Sequence, residues 1–89
     1  MVVMGRQIAA ARELLKMSRA ELAEAADIGV SSVYRLEEER SEPHRATLNA
    51  IVSVLEKRGI IFTNGDRPGV AIERSRLLPP GQAGPNTAG

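Results

Sequence analysis

Cysteine and tryptophan are absent from this chain, and one tyrosine, one phenylalanine and one histidine make up all its ring chemistry. Without cysteine there is neither a disulfide nor a thiolate metal site to stabilise the fold. That composition suits a reducing compartment, so the expected location is cytoplasmic. His44 stands alone, whereas a metal site needs several ligands at defined spacing, so no metal or other cofactor is expected. Ser31 and Ser32 lie far in sequence from His44, and nothing pairs a nucleophile with a base, so an enzyme is not expected. No apolar run approaches the roughly 18 residues of a membrane span. Met1-Val2-Val3-Met4-Gly5, followed at once by Arg6 and Gln7, lacks the layout of a signal peptide. A strong charge surplus is missing too. The net charge is +1, with seven basic and eight acidic side chains in residues 1–45 and five and three in residues 46–89. Any basic face must therefore come from arrangement.

What is present is a short aliphatic chain of 89 residues, one domain near the small end of what folds unaided. Residues 5–16 place Ile8, Ala11 and Leu15 on one helical stripe, with Arg12 and Glu13 off it. Ser18-Arg19-Ala20-Glu21 has capping-box spacing and opens a helix over 19–26, with Leu22, Ala23 and Ala26 inward. Asp27-Ile28-Gly29 breaks the pattern, and a third helix follows over about 30–38 with Val33 and Leu36 as its apolar pair. Glu37–Arg40 and Ser41-Glu42-Pro43 read as a polar loop. A fourth helix over about 45–57 carries Leu48, Ile51, Val52 and Leu55, and Gly59 stops it. Ile60–Thr63 and Val70–Glu73 then read as a β-hairpin around a six-residue connection, Asn64–Gly69. Asn64-Gly65 and Pro68-Gly69 are turn chemistry, because they lack the spacing of a phosphate loop. Residues 75–89 are rich in proline, glycine and small residues and are expected to be a disordered tail after a domain spanning 1–74. The predicted fold is mainly α, with four to five short helices, a hairpin and a flexible tail. Its core is Ile8, Ala11, Leu15, Leu22, Ala23, Ile28, Val33, Leu36, Leu48, Ile51, Leu55, Phe62 and Ile72.

Ser18 through Ala26, followed by Ile28, Val33, Leu36 and Glu37, resembles the helix-turn-helix of XRE/Cro-type regulators. The resemblance covers about residues 6–58. Thr47-Leu48 through Leu55-Glu56, then Gly59-Ile60, Phe62 and Gly69-Val70, is similar to a short bacterial subgroup that ends in a hairpin. The physics agrees, since two short helices meet closely only where small residues such as Ala23 and Ala26 sit at the crossing. The resemblance implies an ion pair between Arg12 and Glu37. It also implies that Gly29, Val30, Ser31, Tyr34 and Arg35 face base edges in the major groove of duplex DNA. A guanidinium such as that of Arg35 can contact guanine O6 and N7 together, worth about 1–3 kcal/mol of discrimination. Phosphate contacts would come from Arg19, Ser32, Arg40, His44 and Arg45. A homodimer on two half-sites about one helical turn apart is the corresponding assembly.

The sequence departs from the family pattern where Asp27 occupies a turn position that is commonly glycine and Gly29 a position that is commonly a polar cap. The recognition positions hold no Asn or Gln, and Glu37-Glu38-Glu39 brings negative charge near the expected phosphate path. A second reading therefore stands beside the first, in which the same face binds a protein. The chain would then be an antiactivator of another regulator or the antitoxin of a toxin. Val30, Tyr34, Arg35 and the outward Ile61 would carry that contact, since Tyr and Arg are enriched at protein hot spots.

Overall fold

A computed structural model describes residues 3–40, 42 and 44–77. Ser41 and Pro43 of the expected loop, and residues 78–89 of the expected tail, lie outside the described residues. In chain order the elements are α1 (Gly5–Leu15), α2 (Arg19–Ala26), α3 (Val30–Glu37), α4 (Arg45–Lys57), β1 (Ile60–Thr63), β2 (Gly69–Ile72) and α5 (Arg74–Leu77). Residues 75–77, read as tail from composition, thus complete a short helix. Among the described residues no helix is long and apolar enough to cross a membrane.

The breaks between the first three helices are local. Lys16 and Asp27, which end α1 and α2, adopt left-handed backbone at φ 54° and φ 59°. For Asp27 this is a conformation that its short polar side chain tolerates where glycine is common. Ser18 caps α2: its hydroxyl accepts from the Glu21 amide at 3.0 Å, and the Glu21 carboxylate accepts from the Ser18 amide at 2.7 Å. This reciprocal pair holds Glu21 below the ordinary carboxylate pKa, through the backbone bond first and the hydroxyl bond second. Gly29 caps α3 from extended backbone, without a side-chain bond. Gly59 follows α4 at φ +102°, which favours glycine.

Ile8, Leu22, Val33, Ile51 and Leu55 are the largest fully buried side chains, so α1 to α4 share one aliphatic core. Leu15, Ala26, Ile28, Leu48 and Ile72 pack against it half-buried. Val3, Met17 and Ile60, which periodicity did not select, are also buried. The hairpin runs one residue earlier on its second strand than the sequence suggested. Thr63 pairs with Gly69 and Ile60 with Ile72, leaving a five-residue connection over 64–68. Ile60 and Phe62 point into the core while Ile61 and Thr63 point out.

A two-stranded sheet is marginal alone, and here a buried polar side chain anchors it. Gln7 donates from Nε2 to the carbonyls of Thr63 at 2.8 Å and Gly69 at 3.0 Å, the pair that closes the ladder at its turn end. Its Oε1 accepts from the Met4 amide at 2.8 Å, which satisfies a free donor at the start of α1. One side chain therefore fixes both the first turn of α1 and the hairpin beside it.

Candidate nucleic-acid interface

The outer side of α3 follows from its helical spacing. Val33 and Leu36 point into the core, which turns Val30, Ser31, Tyr34 and Arg35 outward as two adjacent columns, 30 with 34 and 31 with 35. Val30 and Tyr34 are 43% and 46% exposed and stand side by side on this face. Gly29 is exposed at the start of the helix, and Ser32 is half-buried beside the core.

Beneath this surface lies a three-membered ion network. Glu37, its side chain 2% exposed, accepts from Arg12 Nε at 2.7 Å and Nη2 at 3.2 Å and from Arg19 Nε at 2.9 Å. Arg12 also donates from Nη1 to the Met17 carbonyl at 2.9 Å. These bonds explain why Arg12, placed off the apolar stripe by spacing, is nevertheless buried. Ion pairs of this kind hold a fixed arrangement more reliably than they add net stability. Here the arrangement is α1, α2 and α3 locked around one carboxylate.

Arg19 reaches further. Its guanidinium carbon lies 4.3 Å from the centroid of the Tyr34 ring, within cation–π range. The hydrogen bond to Glu37 raises its pKa most, partial burial opposes that, and the Tyr34 hydroxyl adds a smaller upward push. Arg19 thus links the buried carboxylate to the exposed ring and holds Tyr34 in place.

The acidic run at the end of α3 is largely neutralised. Glu37 is internal, Glu38 pairs with Arg40 at 2.7 Å, and Glu39 pairs with Arg6 at 3.6 Å. Glu39, at φ 57°, also accepts from the Arg6 amide at 3.3 Å, placing a carboxylate at the positive end of α1. The close approach of these two helix ends depends on Gly5. A Cβ there would sit 2.0 Å from the Leu36 carbonyl oxygen and 3.0 Å from Glu37 Cα.

Apart from half-buried Ser32, the expected phosphate residues divide into two groups. Arg19 and Arg40 have internal carboxylate partners. His44 and Arg45 are exposed at the start of α4, and neither they nor Arg35 form an ion pair among the described residues. Ile61, on the outward face of the hairpin, is 48% exposed and pairs across the ladder with exposed Ala71. It lies on a different element from the α3 columns. Sequence reasoning missed Gln7, Gly5 and the second arginine on Glu37. For Gln7, its position three residues after the N-cap Met4 was a usable signal.

No group of three or more His, Cys, Asp or Glu side chains placed to hold a metal ion occurs among the described residues. Comparison with curated proteins gives no match. The model of the helix-turn-helix family matches residues 8–59, more than half the chain, and spans most of the core, the capped turn and the ion network. With its exposed α3 columns on that frame, the chain belongs to the helix-turn-helix family, XRE type, whose domains are DNA-binding and regulatory.

Proposed function

We propose that the chain is a transcription regulator that reads duplex DNA with α3 in the major groove, as a homodimer on two half-sites. The observation that carries this reading is the α3 surface itself: four outward side chains on a helix pinned from below by the Arg12–Glu37–Arg19 network. Precise base readout needs such a rigid mount. Arg35, long and without a carboxylate partner, is the base reader, bidentate to guanine. Ser31 adds a hydroxyl, Val30 an apolar contact to a thymine methyl, and Tyr34 and Gly29 the close fit at the helix start. Arg45 and His44 at the start of α4, with Ser32 on α3, hold phosphates. Arg19 and Arg40 join them by exchanging or sharing their carboxylates. The expected setting is the cytoplasm, and the regulator acts without a cofactor.

Arg35→Ala tests the assignment. It should relax base preference by about 1–3 kcal/mol at one position while leaving the fold intact. An unchanged preference removes Arg35 as reader. The exposure of Val30 beside Tyr34 favours one alternative, in which the same surface occludes another regulator or a toxin as antiactivator or antitoxin. In that case Tyr34→Ala abolishes the protein complex, and DNA binding is absent in the wild type.

A further inference from the structure

A second charged feature lies away from the α3 columns. A cleft of about 430 Å³ opens where the ends of α1 and α4 meet the start of α2 and α5. Lys16, Lys57, Arg58 and Arg76 line it, with Glu21 as the one acidic lining residue. Arg76 donates to the Lys57 carbonyl, which draws α5 against the end of α4. Glu21 is bound to Ser18 on one side and feels the charge of Arg58 on the other. The cleft holds a local surplus of positive charge in a chain whose net charge is +1.

Cations at helix C-termini complement the helix dipole, and that accounts for Lys16, Lys57 and Arg58 one at a time. It does not account for their convergence with Arg76 on a single concave surface. Outside the cleft, Arg6, Arg12, Arg19 and Arg40 each face a carboxylate, and among the described residues Arg35, Arg45, Arg67 and Arg74 are left without an ion pair on three separate elements and a connection. A polyanion approaching the described surface therefore finds unpaired cations at few places, and this cleft is the densest. The start of α2 lies between it and the α3 surface: Arg19 covers the Tyr34 ring, while Glu21, two residues on and therefore on the other side of the helix, lines the cleft.

We propose that this cleft receives the sugar–phosphate backbone flanking the recognised bases, so that Lys16, Lys57, Arg58 and Arg76 act as sequence-independent phosphate contacts. The inference rests on the DNA-binding reading. With α3 in the major groove, one strand passes the start of α2. Its phosphates follow one another at about 3.4 Å of axial rise, so the next nucleotides along that strand meet the cleft. The basic side chains missing from α3 are in this way supplied from the opposite ends of the helices.

The test compares the full chain with Lys16→Gln/Lys57→Gln and with a charge-matched control on the hairpin connection, Arg67→Glu. Duplex binding is followed by anisotropy across a salt series, and folding by circular dichroism. The cleft variant should stay folded and keep its base preference. It should lose about tenfold or more in affinity near 0.1 M salt, with a salt slope flatter by roughly two contacts' worth, at about 0.9 per phosphate. The control should change neither by as much. A cleft variant indistinguishable from wild type, or no different from the control, overturns the inference and leaves the regulator reading standing. Binding to an acidic protein that is lost in the cleft variant, while DNA binding is kept, overturns it as well. Absence of DNA binding by the wild type at low salt removes both readings together.

Discussion

Replacing Glu37 by alanine removes the carboxylate that Arg12 and Arg19 share. Arg19, with 35% of its side chain exposed, can be rehydrated, and exposed pairs contribute only about 0–1 kcal/mol. Arg12 cannot. Its side chain is 10% exposed and would keep only the Met17 carbonyl and a long contact, 4.0 Å, with the largely solvated carboxylate of Glu13. Breaking a buried pair from one side costs about 3–5 kcal/mol, because the remaining charge stays uncompensated. A domain of this size has a total stability of about 4–11 kcal/mol, so Glu37→Ala should cost much or most of it. Urea unfolding followed by circular dichroism at 222 nm measures this. With a slope of about 1 kcal/mol/M for a small domain, the midpoint should fall by about 3 M, or the variant should be unfolded in water. The companion Arg12→Met/Glu37→Leu should recover most of the loss, since apolar replacement of a whole buried pair is often neutral or stabilising. A loss below about 1 kcal/mol for Glu37→Ala, or a companion no better than the single variant, would refute the reasoning.

Three further substitutions probe the frame. Gly5→Ala drives a methyl into the Leu36 carbonyl, which is backbone and cannot swing aside; thermal unfolding should show a loss of about 1–3 kcal/mol, and an unchanged melting temperature would disprove the close contact. Gln7→Leu keeps the volume but strands the Thr63 and Gly69 carbonyls, at about 1–3 kcal/mol; hydrogen exchange should quicken at β1 and β2 before α2 and α4, and uniform protection would count against the anchor. Glu21 has a folded-state pKa below its unfolded value, so its contribution is present above the unfolded value and fades as pH falls through the folded one. Glu21→Gln should therefore flatten the decline of stability with acid below about pH 4.3, whereas an unchanged acid limb would remove the capping charge from the account.

The helices were legible because their signals are local. Ile8 with Ala11, Ser18 with Glu21, and Ile51 with Leu55 lie within two turns of one another, and caps and periodicity act at that range. The α3 surface was legible for the same reason, once Val33 and Leu36 fixed the inner side. The second strand was misplaced by one residue because Gly69 has no side chain to mark its face, although its backbone pairs with Thr63. Arg12 lies off the apolar stripe, and its burial depends on a partner 25 positions away that the family resemblance, not helical spacing, implies. Gln7 and Arg19 were harder still. Their partners lie 56, 62 and 18 positions off, and a polar side chain gives no sign in sequence of which distant carbonyl or carboxylate it will meet. The basic cleft is a convergence of four helix ends, visible only once they are packed.

DNA binding is the central property, and binding of the purified chain to a mixed duplex library at low and at physiological salt tests it directly. The expected result by fluorescence anisotropy is sub-micromolar, salt-sensitive binding that enriches one sequence with two half-sites about one helical turn apart. No binding even at low salt would contradict the account and turn the α3 surface over to a protein partner.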